Sequence, residues 1–123
     1  MEKTIIFTDL APLPIGPYSQ AVLVNGTLYV SGQIAFEASQ KGDIKIETEA
    51  VMQNLEHILK AAGLDFSHVI KSTIFLQNMG DFAVVNEVYG SRFSSDFPAR
   101  ETVQVAKLPR GVNVEISVVA VVG

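Results

Sequence analysis

Cysteine and tryptophan are absent from this chain of 123 residues. Without cysteine there is no disulfide, no thiolate nucleophile and no Cys-ligated zinc. Histidine occurs only twice, at His57 and His68, and neither has a partner at metal-ligand spacing. His57 falls on the polar face of a predicted helix and His68 starts a predicted strand. Both read as solvated surface residues, which argues against a Ser-His-Asp triad and a zinc hydrolase. Positive charge is also scarce. Nine Lys and Arg are scattered among thirteen acidic residues, the net charge is -4 and the pI is about 5.0. Phosphate binding rests on clustered cations, so a nucleic-acid partner is disfavoured. Long apolar runs are missing too. The longest, Val118 to Val122, is far too short for a membrane span. The segment from Met1 to Asp9 has no apolar core for a signal peptide, so no membrane partner and a cytoplasmic location are expected. There is no phosphate loop, dinucleotide fingerprint or Gly-x-Ser-x-Gly elbow.

What is present fits one domain spanning residues 1–123. A hydrophobic fraction of 48% is that of a globular chain, and a chain of this size buries roughly two-thirds of its unfolded surface. No repeat or linker interrupts it. Residues 4–7 read as a short edge strand. Pro12 to Pro17 reads as an ordered loop, because proline is excluded from helix interiors. Residues 19–25 and 27–34 are β-rich and joined at Asn25-Gly26, a pair that tolerates the positive φ a two-residue hairpin needs. A loop over 35–46 leads to a helix from about Thr48 to Ala62, with Val51, Leu55, Ile58, Leu59 and Ala62 on one face and Gly63 as its C′ residue. A strand over 68–77 follows. A second helix over about 82–93 is capped by Asp81, and two last strands occupy 101–107 and 112–122.

This order predicts an α+β fold, a mixed β-sheet with two amphipathic helices packed on one face. The last strand is apolar on both sides near Val119 and Val121, so part of the second face is expected to be buried between subunits.

Few residues remain that could carry chemistry. Arg100 opens a strand after Phe97-Pro98-Ala99, where a planar guanidinium can grip a carboxylate with two hydrogen bonds. An exposed Arg, or one paired with Asp96, is the more ordinary reading of the same residue. Glu115 interrupts an aliphatic strand. It reads equally as a desolvated general base and as a polar position on a wet face. If the last two strands form a hairpin about 108–111, Gln104 faces Glu115, Thr102 faces Ser117, and Arg100 shares their side. Asn86 is a poor helix former in mid-helix, most simply a tolerated surface residue. Tyr18 closes the Pro-rich loop and Ser31-Gly32 ends a strand. Packing and strand termination explain them equally well.

Taken together, these residues form an ordered set. It runs through Ile15-Gly16-Pro17-Tyr18-Ser19-Gln20-Ala21, Tyr29-Val30-Ser31-Gly32-Gln33-Ile34, Asn54-Leu55, Ala61-Ala62-Gly63-Leu64 and Asp81 to Tyr89. Phe97-Pro98-Ala99-Arg100, Leu108-Pro109-Arg110-Gly111 and Val114-Glu115-Ile116 complete it. In this order and spacing the chain resembles the Rid family of reactive-intermediate (enamine/imine) deaminases over nearly its whole length. The resemblance implies a chorismate-mutase-like fold and a homotrimer with ligand clefts between subunits. It implies hydrolysis of 2-aminoacrylate and related 2-iminoacids to 2-oxoacids and ammonia, with no metal or organic cofactor. It also implies that Arg100 binds the carboxylate, that Glu115 stands near the attacking water, and that Tyr18, Ser31, Gly32 and Asn86 line the cleft. Thr102 departs from the pattern, because many members carry cysteine there. A threonine without a nearby base is a poor nucleophile, which counts against a covalent thiol route. Two other functions fit the resemblance. One is a trimer that binds 2-oxoacids without turnover, as a sensor. The other is RNA cleavage, which the acidic pI and the lack of a catalytic histidine pair oppose.

Overall fold

The computed structural model describes residues 2–123. Its strands are β1 (Thr4–Ile6), β2 (Ala21–Val24), β3 (Thr27–Gln33), β4 (Val69–Leu76), β5 (Ala99–Gln104) and β6 (Val114–Val121). Its helices are α1 (Phe36–Ser39), α2 (Ile44–Ala61) and α3 (Phe82–Gly90). The strands make one sheet in the order β1-β2-β3-β6-β4-β5. Only β4 and β5 run parallel, with α3 as their crossover. The sheet is therefore mixed, with its helices on one face, as the sequence predicts.

Local chemistry sets most boundaries. Asn25 and Gly26 take φ of 51° and 77°, so the β2–β3 hairpin turns in two residues. At its C-terminus, α2 closes in a Schellman motif, with Gly63 at φ 77°. There the Leu64 N–H donates to the Leu59 carbonyl and the Gly63 N–H to the Lys60 carbonyl, both at 2.9 Å. The core lies between α2 and the sheet. Val51, Met52, Leu55, Ile58 and Leu59 are fully buried, as are Leu28, Leu76, Val114, Ile116 and Ala120 of the strands.

Several boundaries differ from the sequence reading. The helix predicted from Thr48 starts at Ile44, because the Asp43 carboxylate accepts from the Lys45 and Ile46 N–H groups at 2.9 and 3.4 Å. The segment read as a loop holds the single turn of α1. Asp81 does not cap α3 through its side chain. Asn78 does the equivalent work one turn earlier. It accepts from the Gly80 N–H at 2.8 Å and starts a 3-10 turn that runs into the helix.

The largest correction concerns β5 and β6, which do not pair as a hairpin. β4 lies between them, with Ser72 beside both Arg100 and Val118, and Phe75 beside both Val103 and Glu115. Cross-strand neighbours share a face. Arg100 and Thr102 therefore lie on the helix-covered face, and Glu115 lies on the open one. Side chains alternate along each strand as the sequence predicts, but the intervening β4 reverses which face the two strands share. Within one chain, Arg100 and Glu115 point to opposite sides of the sheet. The open face keeps apolar surface, with Tyr29 52% and Val103 42% exposed.

Candidate functional site

The site residues fall into two groups. The first lies where the open face meets the Pro-rich loop. Gln20, only 2% exposed, holds that loop in place. Its amide oxygen accepts from the Thr8 N–H at 2.8 Å, and its nitrogen donates to the Thr8 and Pro12 carbonyls, both at 3.0 Å. Tyr18 is fixed next to it, its N–H donating to the Gly16 carbonyl at 2.9 Å. On β3 the pairing with β6 slips between Val30 and Gln33, so Ser31 and Gly32 form an irregularity. Such bulges re-aim side chains and backbone. The Ser31 hydroxyl donates to the Ser19 carbonyl at 2.6 Å, which ties the bulge to the loop.

The Glu115 carboxylate lies over Gly32. A Cβ at position 32 would collide with Oε2 and Cδ of Glu115, so only glycine leaves the carboxyl its place. Burial alone pushes the Glu115 carboxyl above its ordinary range. A cavity of about 370 Å³ opens here, lined by Ile15, Tyr18, Ser31, Gly32, Pro109 and Glu115 among others.

The second group lies on the helix side of β5. Arg100 Nη1 donates to Asn86 Oδ1 at 2.6 Å, so Asn86, not Asp96, is its partner. The Arg100 guanidinium carbon is 5.2 Å from the Tyr89 ring centre and 5.7 Å from that of Phe82. Aromatic faces hold a guanidinium in place without neutralising it, which leaves its remaining N–H groups for an anion. The Tyr89 hydroxyl donates to Ser72 Oγ at 2.9 Å. Burial pushes the Tyr89 hydroxyl up, opposed by that bond and by the charge of Arg100. Two residues along β5, Thr102 Oγ1 is buried with no hydrogen-bond partner among the described residues, an unusual state for a hydroxyl. Asn86, Tyr89, Gly90, Phe97, Pro98 and Arg100 line a cavity of about 430 Å³.

The fold thus gathers Tyr18, Ser31, Gly32 and Glu115 into one cleft, and Asn86 and Arg100 into another, with Thr102 on the same face of β5 but not in that cleft's lining. It does not join the two within one chain. The first holds a carboxyl suited to moving protons and the second a cation suited to gripping an anion. Among the described residues, no three His, Asp or Glu side chains converge as a metal site would. No helix among them is long and apolar enough to cross a membrane. Sequence reasoning missed Gln20 as the loop's anchor. A lone glutamine entering a strand gives no periodic signal, and only its burial reveals it.

A family model described as endoribonuclease L-PSP matches residues 8–122, and the chain belongs to this family, which includes the Rid proteins. The chain is 51% identical to protein DfrA of Myxococcus xanthus, over 98% of this chain and 97% of that one. It is 47% identical to the 2-iminobutanoate/2-iminopropanoate deaminase of Homo sapiens, over 98% of this chain and 91% of the human one. The crystal structure of E. coli TdcF with bound serine superposes with a TM-score of 0.87 at 37% identity, covering 98% of this chain and 99% of that one.

Proposed function

We propose that this protein is a 2-iminoacid deaminase, hydrolysing 2-aminoacrylate and related 2-iminoacids to 2-oxoacids and ammonia in clefts completed between subunits of a homotrimer. The observation that carries this reading is the split of complementary chemistry across one sheet. An anion grip at Arg100 and a proton-handling carboxyl at Glu115 lie on opposite faces, so one chain's grip can meet only another chain's carboxyl. The exposed Tyr29 and Val103 of the open face support association, because apolar surface of this kind marks contact sites. The number three rests on the family resemblance. Relatives named for iminoacid deamination and a relative holding a small amino acid support the substrate class.

In this scheme the substrate carboxylate takes two charge-assisted hydrogen bonds from Arg100, which fixes the imine carbon in one orientation. Arg100 keeps Asn86 as a lateral support, and Thr102 Oγ1, otherwise unpartnered, donates to or accepts from the bound molecule. Glu115 takes a proton from water as the water oxygen bonds to the carbon of the protonated imine and the C=N pair moves to nitrogen, giving a neutral carbinolamine. Glu115 then gives that proton to the carbinolamine nitrogen, the C–N bond breaks and ammonia leaves. The hydroxyl proton passes to Glu115 as the C=O bond forms, and Glu115 hands it to the departing ammonia, which leaves as ammonium and returns the carboxylate to its starting state. A carboxyl raised by burial suits both duties, being a stronger base than an exposed one and a ready acid once protonated. Ser31 and Gly32 shape the water side of the cleft, and Tyr18 closes it.

The test is ammonia release from iminoacids generated in situ by an amino-acid oxidase, across several side chains. Faster release than in the protein-free control is expected for small uncharged side chains. No acceleration for any of them would overturn the deaminase reading and leave 2-oxoacid sensing, which needs Arg100 but not Glu115.

A further inference from the structure

We propose that Glu47 is a positioning residue for Glu115, a role that rests on the deaminase reading of the site. Glu47 lies in the first turns of α2 and is 1% exposed, although it carries a carboxyl group. Its Oε2 accepts from the Asn113 N–H at 2.8 Å and from the Val114 N–H at 3.2 Å. Its Oε1 accepts from Asn113 Nδ2 at 2.8 Å. Both oxygens are thus spent on the two residues that precede Glu115.

Position explains why this matters. β6 is entered from the turn Pro109–Gly111, where Arg110 takes φ of 57°, and no β5 hairpin holds the strand's start. From the β4 side, the Gln77 N–H donates to the Asn113 carbonyl at 3.0 Å. Asn113 is therefore clamped from both sides, by Glu47 through its N–H and side chain and by Gln77 through its carbonyl. Register is the quantity at stake, because a slip of one residue moves every side chain of β6 to the other face. Glu115 beside Phe75 is on the cleft face, and in the slipped register it would be under the helices.

Filling volume does not require a carboxylate here. A buried charged group is costly, and an apolar residue of similar size commonly serves packing as well or better. The carboxylate's particular contribution is directional, three donors fixed at one strand entrance. Two residues on, the Glu115 side chain fits over Gly32 with no room to spare.

The experiment compares the full chain with its Glu47→Gln variant, which keeps shape but turns one acceptor into a donor. The readouts are kcat, KM, the thermal midpoint, and the Glu115 carboxyl titration followed by carbon NMR. The expected result is a fall in kcat of about tenfold or more with KM within about twofold, since small misplacements at a reacting centre cost this much. The Glu115 titration should move toward an ordinary carboxylate as its fixed burial loosens. A lower thermal midpoint with kcat and the Glu115 titration unchanged would show a structural role only and overturn the proposal. If Glu47→Gln does not fold, Asn113→Ala removes just the side-chain contact. A smaller loss of kcat in the same direction is then expected, and an unchanged kcat overturns the proposal. If the parent turns over no iminoacid, the deaminase reading falls, while the Glu115 titration still decides whether Glu47 positions it.

Discussion

Replacing Arg100 with alanine is expected to weaken binding of a 2-oxoacid such as pyruvate about 100-fold or more, as measured by calorimetry. A hydrogen bond to a charged group contributes about 1.5–3 kcal/mol, and two such bonds are lost. With about 1.4 kcal/mol per factor of ten, the loss reaches at least two powers of ten. Stability should change little. In the free chain Arg100 makes one side-chain hydrogen bond, to exposed Asn86, and its contacts with Tyr89 and Phe82 are those of a stacked cation. Arg100→Lys should recover only part of the affinity, since an ammonium cannot present two parallel donors. Unchanged affinity in Arg100→Ala would remove the anchor from the scheme.

Glu115→Gln is expected to do the opposite. It should lower kcat by about 100- to 1,000-fold, within the usual range for a general acid–base group, and keep 2-oxoacid affinity within about threefold. It should also stabilise the fold at neutral pH. Burial raises the folded-state pKa of Glu115 above the ordinary value of a glutamate. The folded chain then binds this proton more tightly than the unfolded chain. The stability it lends is complete below the unfolded value and is lost as pH rises through the folded value. At pH 7, well above the unfolded value, holding this carboxyl half-buried is a net cost that glutamine does not carry. The variant should melt about 2 °C higher than the parent at pH 7 and show no such gain at pH 4. Scanning calorimetry at the two pH values measures this, and a lower midpoint at pH 7 would mean that Glu115 stabilises the fold instead.

These two residues also show how far the sequence could be read. Chemistry that acts within a few residues was legible. Asn25-Gly26 dictated its hairpin and Gly63 its helix end, because φ and capping are local properties. The apolar phase of α2 marked the core. Strand order was not legible, since nothing in residues 101–122 says that β4 inserts between the last two strands. The hairpin reading put Arg100 and Glu115 on one face, and the insertion puts them on two. That reversal is what the proposed pairing of Arg100 with another chain's Glu115 rests on. Glu47 was hidden by a boundary. A helix begun at Thr48 leaves it out, whereas one begun at Ile44 puts it in phase with Val51 and Leu55 on the buried face. Thr102 looked like a departure from a family pattern, and the structure adds that its hydroxyl is buried without a partner.

The central claim is that each working cleft takes Arg100 from one chain and Glu115 from another. The direct measurement is turnover by mixed assemblies made by co-refolding equal amounts of Arg100→Ala and Glu115→Gln chains. Each variant alone should be nearly inactive. In random mixtures, half the chains supply an intact Arg100 and half an intact Glu115, so about a quarter of the clefts between subunits regain both. The expected result is about one quarter of the parental turnover per cleft. Turnover no greater than that of the two variants kept apart would contradict the account.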